Sequence, residues 1–150
     1  MGRREIMSTV SPSGPVYQAG TFSGNPLTCA AGLATLEVLD ENCYRLLNRN
    51  GKGLMDSLRD LMHDEAIQGC VQGVGPLFQI FLGKDNVPDA ATAQQCKADA
   101  FRRFFQAMLR EGIYMPPSQF ESNFLSICHA QEDMDDFLSA CLRCMRKVMG

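Results

Sequence analysis

The chain has 150 residues, a formal net charge of −3 and 45% hydrophobic residues, which is the composition of a globular protein that buries a core of its own. The small negative charge gives no electrostatic basis for binding nucleic acid or an anionic membrane, and no apolar run approaches the length of a membrane span. We therefore expect no nucleic acid and no membrane among its partners. The seven cysteines are odd in number and irregularly spaced, which is typical of reduced thiols in an intracellular compartment.

The first half of the chain is predicted to hold a short helix, a long loop and two longer helices. Residues 3–10 favour the short helix, and the loop that follows is long enough that we expect it to pack on something outside itself. Asn25 is a favoured N-cap, and Pro26 suits the first position of a helix that continues to Leu39. Cys43–Met62 is a second helical stretch, in which Asn50-Gly51 either weakens the helix or forms a turn.

The second half alternates short strands with helices. Leu77–Leu82 has the length and apolar character of a strand, and Ile113–Met115 and Phe124–Cys128 are predicted to be two further strands. Ala91–Glu111 and Glu132–Met149 have helical periodicity. This order predicts an α+β fold in which helices cover a small sheet. The residues of the first of these helices that we expect to face inward are Phe101, Phe104, Phe105, Met108 and Leu109.

A glycine-rich loop precedes the helix that begins at Pro26. It contains Gly20 and Gly24 together with the hydroxyls of Thr21 and Ser23. Free backbone N–H groups at a helix start, beside glycines and hydroxyls, are a natural seat for a phosphate group. Glycine-rich turns before helices are also common as plain connections, so the pattern alone leaves a purely structural loop open.

Several motifs together resemble the class III pyridoxal-phosphate aminotransferases. The run Gly20-Thr21-Phe22-Ser23-Gly24-Asn25-Pro26 is similar to a loop of that family, and Arg3–Met7 resembles the segment just before it. Met108–Glu121 and His129–Asp133 resemble the family's C-terminal domain. With Gly14–Gly20, these runs are most similar to the family's aminomutase branch. The matches span the whole chain and keep the family's order.

The resemblance implies a fold, a reaction and partners. It implies the C-terminal small domain of a fold-type I pyridoxal-phosphate transferase, with a small antiparallel sheet covered by helices and preceded by an extended interface loop and a long helix. Residues 1–28 would end the large domain, and residues 29–150 would form the small one. The implied reaction converts glutamate 1-semialdehyde, a small amino-aldehyde, to 5-aminolevulinate in tetrapyrrole (haem and chlorophyll) biosynthesis. The implied enzyme is a homodimer in the bacterial cytoplasm or the plastid stroma.

The resemblance also assigns site residues. Thr21, with Gly20, would contact the phosphate of pyridoxal 5′-phosphate bound in the other subunit, while residues upstream of this chain hold most of the cofactor. Ser118 and Glu121 would lie at the substrate entrance, where the carboxylate orders a gating loop or tunes a neighbouring group; a solvated loop glutamate is an equal alternative. Asn123 stands where the family commonly has glycine, which permits backbone conformations that asparagine tolerates less well, so the sequence leaves the backbone shape of this loop open.

The family's Schiff-base lysine has no counterpart in this chain, because it lies upstream of the segment that resembles Arg3–Met7. We therefore expect no catalytic residue here and an inactive chain in isolation. Two alternatives stay open beside an aminomutase: a piece of a related class III aminotransferase, or a non-catalytic truncated module that associates with the full-length enzyme. The lysines present, none in a matching position, are Lys52, Lys84, Lys97 and Lys147.

The remaining candidate ligands favour structural roles. Cys141-x-x-Cys144 permits a redox or zinc hypothesis, but Cys141 falls on an apolar helical stripe and no second cysteine pair lies nearby, so we expect a core residue and no metal site. His129 precedes the last helix, where a capping or core role is favoured over acid–base chemistry.

Overall fold

The computed structural model describes residues 2–149. The chain divides into two compact units, the first ending at Asp40 and the second beginning at Glu41. The first unit contains α1 (Arg4–Met7) and α2 (Pro26–Val38), joined by an extended segment. Within residues 2–149, no helix is both long enough and apolar enough to cross a membrane.

Helix α2 begins where the sequence predicts. The Asn25 Oδ1 atom accepts hydrogen bonds from the N–H groups of Leu27 at 3.0 Å and Thr28 at 3.2 Å, which caps the helix. None of the α2 side chains is buried, and Leu27 is 82% exposed. The predicted assignment of residues 1–28 to a neighbouring large domain remains a prediction, and α2 belongs to the first compact unit.

The second unit is an α+β fold, as predicted. Its sheet has the order β1-β2-β3 with antiparallel neighbours, and the register runs from Gly69 opposite Leu82 to Val74 opposite Leu77, with Leu77 also opposite Phe124. Its elements are α3 (Glu41–Asp64), β1 (Gly69–Val74), β2 (Leu77–Leu82), α4 (Ala90–Gln94), α5 (Ala98–Arg110), β3 (Asn123–Phe124) and α6 (Gln131–Met149).

The core lies between the sheet and helices α3, α5 and α6. Phe101, Phe104 and Met108 are buried as predicted, whereas Leu109 is 49% exposed and its predicted inward position is wrong. Leu109 lies about 100° around the helix from Met108, at the edge of the buried stripe rather than in it. Other fully buried side chains of this core are Leu58, Ile80, Leu82, Cys141, Cys144 and Met145.

The predicted single helix Ala91–Glu111 is wrong, because the chain breaks it into α4 and α5. Asp89 gives α4 its own cap, since its Oδ1 accepts from the Thr92 N–H at 2.7 Å. After α4, the Lys97 N–H donates to the carbonyl oxygen of Leu82 at 2.8 Å. Cys96 is buried beside Ala93 in a small apolar cluster. The burial of Cys96 and the hydrogen bond from Lys97 to the end of β2 together stabilise a break between α4 and α5 instead of one continuous helix.

The predicted strand Ile113–Met115 is also wrong. Gly112 has φ +85° after the end of α5, its N–H bonds to Leu109 O at 3.1 Å, and the Ile113 N–H bonds to Met108 O at 3.0 Å. These two bonds form a Schellman motif, so the Ile113 N–H closes the helix instead of joining a sheet. The predicted strand Phe124–Cys128 is shortened to β3, which the Leu125 N–H extends by one bond to Pro76 O at 2.9 Å.

Three ion pairs among residues 2–149 connect α6 to the rest of the second unit, and the longest joins Lys147 Nζ to Glu111 Oε1 at 3.8 Å. Arg146 Nη2 lies 2.6 Å from Glu65 Oε1, and Arg143 Nη2 lies 2.7 Å from Glu111 Oε2. The hydrogen bonds from Arg146 and from Arg143 hold the pKa of Glu65 and of Glu111 below the ordinary glutamate value. A carboxylate whose pKa is lower in the folded than in the unfolded protein stabilises the fold. This stabilisation is fully present above the unfolded-state pKa and is lost as the pH falls through the native pKa.

We therefore expect an Arg146→Met substitution to return the pKa of Glu65 to its ordinary range and to move acid unfolding to a higher pH. Carboxyl NMR titration measures the first change, and circular dichroism against pH measures the second. Arg102→Met is the control, because Arg102 pairs with Asp99 at 3.0 Å on α5 and should leave Glu65 unaffected. An unchanged Glu65 titration in the Arg146 variant contradicts the expectation.

Candidate functional site

The loop before α2 exposes a hydroxyl and backbone donors. The Ser23 N–H donates to Gly20 O at 2.9 Å, and the Asn25 N–H donates to Phe22 O at 3.1 Å, so the loop is a pair of overlapping turns. Gly20 and Thr21 are exposed. Within residues 2–149, neither the hydroxyl nor the N–H of Thr21 makes a hydrogen bond. This donor pair suits an anionic phosphate oxygen.

The start of α2 itself does not offer the open donors that the sequence suggested. The Asn25 side chain already accepts from the N–H groups of Leu27 and Thr28. The expectation of free N–H groups at this helix start is wrong for these two, because the capping side chain occupies them. The donors that remain for a phosphate are in the loop, above all those of Thr21.

Ser118 and Glu121 bracket a tight turn in the second unit. The Glu121 N–H donates to Ser118 O at 3.1 Å, and the Phe120 N–H donates to Ser118 Oγ at 3.2 Å. The Ser118 hydroxyl thus shapes the turn. Glu121 is exposed and borders two clefts of ≈ 930 Å³ and ≈ 270 Å³. A carboxylate in this position is accessible to a small polar molecule in either cleft.

A buried amide network that the sequence analysis missed lies beneath this turn. Gln79 is 7% exposed, and its Nε2 donates to Ser118 O at 3.2 Å and to Glu121 O. Its Oε1 accepts from the Ile80 N–H at 2.9 Å and from Asn123 Nδ2 at 3.0 Å. Gln79 is the one polar residue in the apolar run Leu77–Leu82, and that interruption was the available signal.

Asn123 takes part in the same network without a glycine-like backbone. It lies in β3, and Ala66 is the one non-glycine residue with positive φ among residues 2–149. Asn123 Nδ2 also donates to Phe78 O at 3.3 Å. Gln119 is 3% exposed and donates from Nε2 to Ala93 O at 3.2 Å, while its Oε1 has no partner among the described residues. Three buried amide side chains therefore surround the turn that carries Glu121.

The other candidate residues have structural positions. His129 is exposed, so the core alternative is wrong. Its Nδ1 accepts from the Ser126 N–H at 3.0 Å, which closes the loop before α6 rather than capping that helix. Cys141 is fully buried, as predicted, and so is Cys144. Among residues 2–149, no three His, Cys, Asp or Glu side chains are grouped so that they could hold a metal ion.

We expect the two cysteines of α6 to resist alkylation in the native protein. Burial raises the pKa of both the Cys141 and the Cys144 thiol, so little reactive thiolate is present at neutral pH. Iodoacetamide followed by mass spectrometry should label the exposed Cys29 and Cys128 first, and the α6 pair only after denaturation. Equal labelling rates in the native protein contradict this expectation.

The site residues belong to two different units. Gly20 and Thr21 are in the first unit, and Ser118 and Glu121 are in the second. The second unit itself brings Ser118 and Glu121 together through the turn and the Gln79 network.

The chain is similar to aminotransferases and aminomutases along nearly its whole length. A sequence profile described as "Aminotransferase class-III" matches residues 1–144. A glutamate-1-semialdehyde 2,1-aminomutase from Methanocella arvoryzae is 43% identical over 150 aligned residues, which cover 98% of this chain and 35% of that protein. A protein of the same name from Thermus thermophilus is 47% identical over 141 residues, covering 93% of this chain and 33% of that protein.

A solved structure has the same fold. The crystal structure of an omega-transaminase from Sphaerobacter thermophilus superposes with a TM-score of 0.81 at 27% identity, covering 99% of this chain and 35% of the transaminase. This agreement confirms the predicted small-domain fold of the pyridoxal-phosphate transferases. The chain spans about a third of the length of the relatives it matches. From the matched profile and these identities, the chain belongs to the class III aminotransferase family.

Proposed function

We propose that this chain is the C-terminal third of a glutamate-1-semialdehyde aminomutase, which converts glutamate 1-semialdehyde to 5-aminolevulinate as a homodimer. The observation that carries the proposal is the 47% identity, over 93% of the chain, with a protein of that name. The omega-transaminase of similar fold is less similar in sequence, at 27% identity. The proposed compartment is the bacterial cytoplasm or the plastid stroma.

Class III aminotransferases depend on pyridoxal 5′-phosphate, which supplies the electron sink and carries the amino group during transfer. In the proposed assembly, the Thr21 hydroxyl and N–H donate to the cofactor phosphate in the neighbouring subunit, and Gly20 lets the loop approach it closely. Their exposure and the unused donors of Thr21 support this role. Two hydrogen bonds to a dianion hold it more tightly than bonds to a neutral group would.

Ser118 and Glu121 are proposed to act at the substrate entrance. The Ser118 hydroxyl fixes the turn, and the turn carries the Glu121 carboxylate at the border of both clefts. A carboxylate whose backbone is held there by the turn can bind the amino group of an amino-aldehyde. We propose no catalytic residue in this chain, because covalent chemistry on the cofactor needs the upstream lysine.

Two alternatives predict different results. A related class III aminotransferase would transfer the amino group between two different molecules, and the 27% identity with the omega-transaminase keeps it open. A non-catalytic module would instead bind the intact enzyme, and the exposed apolar side chains of α2 favour that. The proposed aminomutase, by contrast, needs the cofactor domain and this chain in one enzyme.

The test combines a mass measurement and an assay. The native-length product that carries this chain is purified from its source cells, its intact mass is measured, and it is incubated with glutamate 1-semialdehyde. A species much heavier than 16.6 kDa that forms 5-aminolevulinate without an added amino donor supports the proposal. Activity only with a separate amino donor and acceptor favours the aminotransferase. An inactive 16.6 kDa species that captures the full-length enzyme favours the module.

A further inference from the structure

The turn that carries Glu121 is held to the sheet mainly by one side chain. Gln79 uses all four of its hydrogen-bonding capacities, since Nε2 donates to two carbonyl oxygens of the turn and Oε1 accepts from Ile80 and Asn123. Asn123 uses both of its Nδ2 donors, one of them on Gln79. A buried network of this kind is rigid, because each bond that is lost leaves a buried partner without one.

We propose that Gln79, supported by Asn123, is a positioning residue that fixes the Ser118–Glu121 turn and thereby the place of the Glu121 carboxylate. The proposal rests on the role proposed above for Glu121. Gln79 lies in the middle of β2, and Asn123 lies in β3 beside it, so the rigid part of the sheet determines where the turn stands.

The position of the Glu121 carboxylate depends on its backbone. Among residues 2–149, this carboxylate makes no hydrogen bond and no ion pair, so no side-chain contact aims it. Its main-chain carbonyl is bonded to Gln79, and its N–H is bonded to Ser118 O. A turn released from Gln79 loses its side-chain tie to β2, and the second bond, which is internal to the turn, then opens more often. The carboxylate then samples many positions over both clefts.

The tie at Gln119 cannot replace that of Gln79. Gln119 makes a single hydrogen bond, to Ala93 O, and its buried Oε1 is unpartnered among the described residues. A buried amide oxygen without a hydrogen-bond partner makes the closed position of the turn less stable, because water can solvate this oxygen when the turn opens. Gln79 therefore carries most of the attachment.

Hydrogen exchange tests the positioning directly, in the native holoenzyme that carries this chain. Gln79→Leu should make the amides of Phe120 and Glu121 exchange about tenfold faster or more, while the α6 amides keep their rate. Asn123→Ala, which removes fewer bonds, should give a smaller increase at the same amides. Ile80→Val is the control for general loosening of β2 and should leave the turn unchanged. Unchanged exchange at the turn in both network variants overturns the proposal.

A double-mutant cycle tests whether Gln79 acts through Glu121. Gln79→Leu should lower kcat/KM for 5-aminolevulinate formation about tenfold, and adding it to Glu121→Gln should cause no further loss. Losses that multiply overturn the link, because Gln79 then acts by another route. A wild-type holoenzyme that forms no 5-aminolevulinate defeats the proposed function instead, and the exchange rates still decide whether Gln79 fixes the turn.

Discussion

Replacing Gly51 with alanine should destabilise the protein by about 1–3 kcal/mol and lower its Tm by about 2–12 °C. A Cβ atom at Gly51 would lie 2.0 Å from the Gly75 carbonyl oxygen and 2.7 Å from the Gly75 carbonyl carbon. Both contacts are with backbone, so the β1–β2 turn or helix α3 must move to admit a methyl group. Helix propensity alone predicts the reverse, since alanine stabilises a helix interior by about 1 kcal/mol relative to glycine.

Gly53 provides the matched control within the same helix. A Cβ atom at Gly53 meets nothing within 4 Å, and this residue is exposed. Gly53→Ala should therefore stabilise the protein by about 0.5–1 kcal/mol through propensity alone. Differential scanning calorimetry of both variants measures the contrast. A stabilised Gly51→Ala protein would show that α3 and the turn are not in close contact.

This helix also shows what the sequence determined and what it did not. The apolar spacing along α3 outweighs two glycines, so the helix runs unbroken through Gly51 and the alternative of a turn at Asn50-Gly51 is wrong. The reason for Gly51 lies in the β1–β2 turn, 24 residues further along the chain at Gly75. A contact between residues so far apart leaves no local pattern in the sequence. Periodicity therefore predicts helix α3 but not its close contact with the β1–β2 turn.

The errors in the second half have a common physical cause. Local sequence patterns predict a helix over Ala91–Glu111 and a strand over Ile113–Met115. In each range, one backbone N–H is bonded to a different element: that of Lys97 to the end of β2, and that of Ile113 to the last turn of α5. The same holds for the site. Thr21 and Glu121 are predicted site residues through the family resemblance, and this stays a prediction. The contacts of Gln79 with the Ser118–Glu121 turn have no local pattern in the sequence, because they form only once the turn lies over β2.

Removing the Thr21 hydroxyl should weaken cofactor binding in the assembled enzyme by about 10–100-fold. Thr21→Val keeps the branched shape and removes the donor of the proposed hydrogen bond to the cofactor phosphate, and a bond to such a charged group is worth about 1.5–3 kcal/mol. The dissociation constant of pyridoxal 5′-phosphate, measured by its absorbance, reports the loss. Thr21→Ser should restore most of the affinity because it keeps the hydroxyl, and Ser23→Ala should change little. A Thr21→Val enzyme with unchanged affinity would leave the loop as a plain connection.

A mixed dimer separates a contact to the neighbouring subunit from one within the same subunit. One subunit carries Thr21→Val with an intact Schiff-base lysine, and the other carries wild-type Thr21 with that lysine replaced. The single competent site then lies in the Thr21→Val subunit. If Thr21 donates across the interface, this site receives the intact hydroxyl of its neighbour and binds the cofactor with wild-type affinity. If the donation is within one subunit, the same site lacks the hydroxyl and shows the full loss.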